Sequence, residues 1–286
     1  MPTQTQSQKS IWHIVNALVQ EIKQGELELP VMPRVVEDTQ RALADPDMTL
    51  DKIARIVEQD TVVSARLIAV ANTPYYARQK KAKTVKDAIL RLGEKETKHI
   101  VIAVANRSLF RTRNPRFKTF MEDLWRHSLA TANAAVLIAE YLDFQNSEKL
   151  FFMGLLHDIG KIIILQKLSG LLDDAHAVDT AELNHSLYDA HQSIGGVILR
   201  KWRFGKDFIQ VATLHEGPKF YPPINKSLLI VNLANALTHK IGYSLVPDEG
   251  PPLAELDSAR KLHISSETLD VITEKIKTLM SSVEIN

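Results

Sequence analysis

The chain has 286 residues, of which 45% are hydrophobic and 24% charged, with 35 Lys+Arg against 34 Asp+Glu and a net charge of +1. That is the composition of a globular protein with one large or two smaller domains. Near-neutrality removes any general electrostatic reason to bind nucleic acid or an anionic membrane, so such binding would have to come from local patches. The absence of cysteine excludes disulfides, thiolate nucleophiles and thiolate metal ligands, so any metal must be held by nitrogen and oxygen. The polar start MPTQTQSQKS lacks a signal-peptide pattern, and charge interrupts every oily run before the roughly 20 residues that a membrane helix needs. The expectation is a soluble, cytoplasmic protein with no membrane association.

From Ser10 onward, Ile11, Ile14, Val15, Leu18, Val19 and Ile22 recur at helical spacing, with Ser10 as cap and Gly25 as stop. LPVMPRVVEDTQRALADPD predicts a helix from near Pro33 to the Asp45-Pro46 break. TLDKIARIVEQD and DTVVSARLIAVAN predict two short helices capped by Thr49 and Asp60. TVKDAILRLG runs from a Thr84 cap to a Gly93 terminator, and EKETKHIVIAVANRSLF continues as a longer buried helix. Further helices are expected at 120–142, 148–166, 187–201, 206–215 and 225–241, and a last amphipathic one passes through Leu269, Ile272, Ile276 and Leu279. Strand-like alternation is almost absent, so the fold class is all-α.

Between these runs, RTRNPRFK at 111–118 marks the strongest composition shift, with Arg111, Arg113, Arg116 and Lys118 around a proline. It divides a two-lobed helical molecule: an N-terminal helix at 1–24, a first lobe at 25–115, a second lobe at 116–242, and a C-terminal loop and helix at 243–286. So short a boundary predicts lobes that pack closely.

FFMGLLHDIGKIIIL at 151–165 sets His157, Asp158 and Lys161 in an otherwise oily segment. An ionised carboxylate buried there without a partner costs several kcal/mol, about what one or two good interactions return, so compensating groups must lie on other helices. Neighbours on one helix point about 100° apart, so both members of the pair reach inward only if the helix is surrounded. The candidates are His127 in LWRHSLA, His191 in LYDAHQS and His215 with Glu216 in TLHEGP. Such a set, free of thiolate, suits one or two divalent transition metals: iron, manganese, zinc or nickel. Against this, a lone core histidine is more often simply hydrogen-bonded. Glu216 either orients His215 or is a solvated helix-end carboxylate. His13, His99, His176, His185 and His263 lack such context and read as surface or structural.

The order LWRHSLA, GLLHDIGK, a further His and a later His-Glu resembles the HD superfamily of metal-dependent phosphohydrolases. The front half, with its Leu-Pro-x-x-Pro opening, Gln59-Asp60 and the RL-x-x-x-AN of Arg66 to Asn72, resembles the HDOD domain of bacterial signalling proteins, over roughly residues 25–242. The resemblance implies an HD-like helical core in which His127, His157 and Asp158 are first-metal ligands, with Asp158 able to bridge to a second metal. His191 and His215 resemble the additional histidines of two-metal members. The remaining first-metal position, an Asp in the family, falls on Asn235 in SLLIVNLANALTHK. An amide oxygen coordinates without charge, which weakens the site. His239, one turn further, is either a substitute ligand or an ordinary exposed histidine. Family members that cleave cyclic dinucleotides carry His-His-Glu followed by Gly-Tyr-Pro. Here the first His is Leu214 and no such motif follows, so that activity is not expected.

Three functions compete on these residues. The first is a regulatory module acting through other signalling proteins, with a degenerate metal site. The second is an active phosphohydrolase in which Lys161 contacts a phosphate oxygen, against a reading of Lys161 as a snorkelling helix residue. The third is nucleic-acid binding through RQKKAK at 78–83 and RTRNPRFK, against a reading of these runs as solvated loops, which such runs usually are.

Overall fold

The computed structural model describes residues 10–25, 30–45, 54, 57–58, 61–76, 80–172, 179–245 and 250–284. Among these the chain is helical with no strand: α1 (Ile11–Gln24), α2 (Arg34–Ala44), α3 (Thr61–Ala71), α4 (Val85–Asn106), α5 (Lys118–Tyr141), α6 (Ser147–Leu156), α7 (Ile159–Leu171), α8 (Thr180–Lys201), α9 (Lys206–Leu214), α10 (Lys226–Lys240), α11 (Asp257–Leu262) and α12 (Ser266–Glu284). Short 3₁₀ turns at Arg107–Phe110, Pro115–Phe117 and Leu253–Glu255 join them. The expected caps Thr49 and Asp60, and His176, lie outside the described residues.

Local chemistry accounts for most boundaries. Thr84 and Asp87 form a reciprocal capping box at the start of α4, satisfying two orphan N–H groups. Gly93 does terminate the first turns, with φ 79 and ψ 174, but the chain resumes its helix at once, so the break is a kink inside α4. Gly25 closes α1 at φ 75. Ser10 occupies its N-cap without a capping bond, because its hydroxyl pairs with His13 Nδ1 at 2.7 Å. Asn72 clamps the return from α3 through a two-way bond with the Ala82 backbone, 2.8 Å in each direction.

Two apolar cores result. The larger takes in α5 to α11 and also both ends of the described chain: Ile11, Val15, Leu18 and Val19 of α1, which packs on α8, and Leu269, Ile272 and Ile276 of α12, which packs on α5. The smaller is built from α3 and the first part of α4, with Leu67, Val70, Ala88 and Ile89. The basic turn between them is pinned down. Asn114 caps its 3₁₀ turn and donates to the Ser169 and Leu172 carbonyls, and Thr112 bonds Ser169 at 2.7 Å.

The oily segment is where pattern and structure part. In place of one helix at 148–166, α6 stops at Leu156 and α7 starts at Ile159, with Asp158 at φ −97, ψ 20 between them. Breaking there lets two consecutive side chains point the same way, which a continuous helix forbids. Glycines bring the neighbouring backbones close. A Cβ on Gly154 would lie 2.6 Å from Ala132 Cα on α5, and one on Gly160 would lie 2.0 Å from the His191 carbonyl oxygen on α8.

Candidate metal centre

Four helices and the α6–α7 break converge on Asp158, which is fully buried. His127 comes from the middle of α5, His157 from the end of α6, His191 from α8 and His215 from the cap of α9. Their exposures are 3% or less. Two groups form around the two carboxylate oxygens. Oδ2 stands 3.5 Å from the Nε2 atoms of both His127 and His157, and Oδ1 stands 3.4 Å from the Nε2 atoms of both His191 and His215. Within each pair the Nε2 atoms approach to 3.1 Å and 3.3 Å.

The far nitrogens fix what these contacts mean. Every Nδ1 meets a main-chain carbonyl: Tyr243 for His127 and Gly154 for His157, both at 2.7 Å, Tyr188 at 2.7 Å for His191, and Val211 at 3.0 Å for His215. A carbonyl only accepts, so Nδ1 carries the proton and a neutral ring turns its Nε2 lone pair inward. Burial, and then the neighbouring rings and Lys161, push His127 and His157 down to about 3, outweighing Asp158, and burial holds His191 well below its ordinary value. Neutral rings therefore point lone pairs at one another and at a carboxylate. Asp158 Oδ1 has no hydrogen bond, and neither does Glu216 Oε1. Acceptors left without a donor, as these two oxygens are, are what a cation resolves. The two sets that could hold one are His127, His157 and Asp158, and Asp158, His191, His215 and Glu216.

One cation is already present. Lys161 is 6% exposed and does not snorkel, and its Nζ donates to Asp158 Oδ2 at 2.8 Å with Glu216 Oε1 at 3.7 Å. Burial opposes its charge, yet the two carboxylates hold it above the usual lysine range, while burial of Asp158 is likewise outweighed by Lys161 and His157. Glu216, at 10% side-chain exposure, is not solvated. It reaches His191 at 3.5 Å, and burial raises it despite Lys161 and a hydrogen bond from Tyr188. It does not orient His215, whose Nδ1 is held by Val211.

Asn235 is buried on α10 and its Oδ1 accepts no hydrogen bond. One turn on, His239 is half-buried and not exposed, with its ring edge-on to His127 at 5.0 Å and its Nδ1 3.1 Å from the Ser244 hydroxyl. Leu214 is 48% exposed, so its position faces away from the knot. The opening beside His127, Asp158, Lys161, Tyr188 and His239 is a cavity of about 20 Å³, enough for about one water. Sequence reasoning passed over Tyr188, although it stands three residues before His191, at same-face spacing.

The HDOD domain model matches residues 29–218. An uncharacterized protein of Treponema pallidum (strain Nichols) is 22% identical over 269 residues, covering 88% of this chain and 51% of its own length. Ribonuclease Y of Thermosipho melanesiensis is 30% identical over 138 residues, covering 48% of this chain and 21% of its own. The chain thus spans about half of the first and a fifth of the second. Among solved structures, a protein of Shewanella amazonensis SB2B provisionally named a metal-dependent phosphohydrolase superposes with a TM-score of 0.72 at 24% identity, covering 95% of this chain and 98% of that one. An HDOD domain protein of unknown function from Geobacter sulfurreducens gives 0.69 at 23%, with the same coverage. A Marinobacter aquaeolei VT8 protein provisionally named for signal transduction gives 0.63 at 18%, covering 99% of this chain and 62% of that one.

Proposed function

The chain belongs to the HDOD family, related to the HD superfamily of metal-dependent phosphohydrolases, and from that premise we propose a signalling protein whose histidine knot holds one or two divalent transition-metal ions and which acts through protein partners with little or no turnover. One observation carries the metal: four imidazoles, each tied back by Nδ1, direct Nε2 at a buried carboxylate of which one oxygen has no hydrogen bond. His127, His157, Asp158 and the amide of Asn235 would hold one ion, and Asp158, His191 and His215, with Glu216 in reach, the other. The regulatory part rests on three features: the neutral amide at Asn235, the tight 20 Å³ opening, and the signal-transduction name of one structural relative. No helix among the described residues is long and apolar enough to cross a membrane.

A second reading, a phosphohydrolase, is favoured by the ligand set and by the relatives named for phosphohydrolase and ribonuclease activity. A bound ion there would supply Lewis acidity and acidify a water. Lys161 would leave Asp158 to contact a phosphate oxygen, and Tyr188 with Glu216 would hold or move a proton at the mouth. Metal analysis of protein purified from medium containing Fe, Mn, Zn and Ni tests the first reading: about stoichiometric metal, lost in Asp158→Ala, is expected. Metal-free protein would sink it. Robust turnover of nucleotides or cyclic nucleotides, abolished in Asp158→Ala, would replace it with the second.

A further inference from the structure

Lys161 stands in the first turn of α7, three residues after Asp158, where helical spacing carries its Nζ back to Oδ2 at 2.8 Å. The same Nζ lies 3.7 Å from Glu216 Oε1. Its ammonium therefore bears on both candidate metal sets. It bonds the oxygen that faces His127 and His157, and it pairs with the acid that stands 3.5 Å from His191 and 3.8 Å from His215. The oxygens left without a hydrogen bond are Asp158 Oδ1 and Glu216 Oε1.

Retreat would be costly. The residue is 6% exposed, and the opening it shares with His127, Asp158 and Tyr188 has a volume of about 20 Å³, enough for about one water. Drawn off Asp158, the ammonium would lose a charge-assisted bond without gaining a hydration shell. The backbone beside it is held by the close packing of Gly160 against the His191 carbonyl of α8.

Charge then sets a count. Two carboxylates, Asp158 and Glu216, and one ammonium face four rings that turn lone pairs inward, and the amide of Asn235 adds no anion. One divalent ion takes this enclosure from a net formal charge of −1 to +1, and a second would take it to +3. Little water is there to spread that charge and no further anion offsets it. On the reading of the knot as a metal centre, we infer that Lys161 is its second cation. It holds the wild-type chain to a single divalent ion, and it weakens the binding of that ion by competing for Asp158 and Glu216. One or two ions are thereby narrowed to one.

Mn²⁺ is added stepwise to the full chain after it has been stripped with chelator, and the free ion is counted by electron paramagnetic resonance. Wild type should take up one ion per chain. Lys161→Met should bind its ion at least about tenfold more tightly, because the like charge beside it is gone. In chelator the variant should melt below wild type, since Asp158 has lost its partner, and Mn²⁺ should raise its melting temperature by more than it raises that of wild type. A lysine with only a packing role predicts unchanged affinity and the same deficit with and without Mn²⁺. That result overturns the role of Lys161 and leaves the metal centre standing, as would two ions per wild-type chain. No uptake by either protein overturns the metal centre itself, and the role of Lys161 with it. Should Lys161→Met not fold, Lys161→Gln, which keeps a donor for Asp158 without the charge, takes its place.

Discussion

His191 Nε2 and His215 Nε2 face each other at 3.3 Å and stand equally far, 3.4 Å, from one oxygen of Asp158. Each ring is anchored by Nδ1 to a carbonyl of its own helix, so the approach is set by backbone and cannot be relaxed by rotating a side chain. The packing of α8 on α7 and α9 has thus brought three acceptors together, and only a proton or a cation makes that arrangement favourable.

A metal that binds only the folded state stabilises it by mass action, about 2.7 kcal/mol at a hundred times the dissociation constant. Melting should therefore rise with added Mn²⁺, Zn²⁺ or Ni²⁺ and fall with chelator. His157→Ala should lose most of that response along with metal content. Identical melting curves with and without chelator in the wild type would point to a knot that holds no ion.

Gly160→Ala separates packing from propensity. Helix propensity alone predicts a gain of about 1 kcal/mol. The new Cβ, however, would stand 2.0 Å from the His191 carbonyl oxygen, and overpacking of this kind costs about 1–3 kcal/mol. A loss of stability together with weaker metal binding is expected, because α8 must retreat and takes His191 with it. A more stable variant with unchanged metal affinity would show that the close approach does not set the site.

How far the sequence spoke depends on the range of the interaction. Ser10 to Gly25, the Thr84–Asp87 box and the Gly93 break were legible because caps and glycines act within a few residues. Ile11 and Ile276 were legible as core residues from their period. The stop between His157 and Asp158 was not: where every face is buried, the apolar pattern has no phase and carries no mark of a break. The histidines could be collected by residue type, but Glu216 and His239 were misjudged because only the tertiary fold decides whether a helix-end carboxylate meets water or Lys161. Gly154 and Gly160 gave no sign that a neighbouring backbone lay against them.

Glu96 sets one acid limb of stability. Burial pushes this carboxyl up, but His99 and Tyr76 outweigh that and hold it below 4.5. The unfolded chain therefore takes up the proton first, and the stability Glu96 contributes is present above about pH 4.5 and lost as pH falls through its folded value. Glu96→Gln should be less stable than wild type at pH 7, with the difference narrowing below pH 4.5 in denaturant titrations. A gap that stays constant down to pH 3 would show that the ionisation of Glu96 contributes nothing.

Asn235 offers the sharpest test of the site and of its activity. If its buried amide stands at a ligand position, Asn235→Asp adds an anion where a cation is held. Without metal the new carboxylate is buried without a partner and should lower stability by about 1–3 kcal/mol. With metal the charge is compensated, so the loss should reverse, and metal affinity should exceed that of the wild type. The same change completes the family's ligand set, and turnover of nucleotides, cyclic nucleotides and cyclic dinucleotides should be measured in both proteins loaded with Mn²⁺, Fe²⁺ or Ni²⁺. Wild type is expected to show little, because a neutral ligand weakens the hold on the ion and the 20 Å³ mouth admits little more than water. Turnover that appears only in Asn235→Asp would identify the amide as the feature that silences the site. A variant destabilised equally with and without metal would place Asn235 outside the knot, and the regulatory reading would lose one of its three supports.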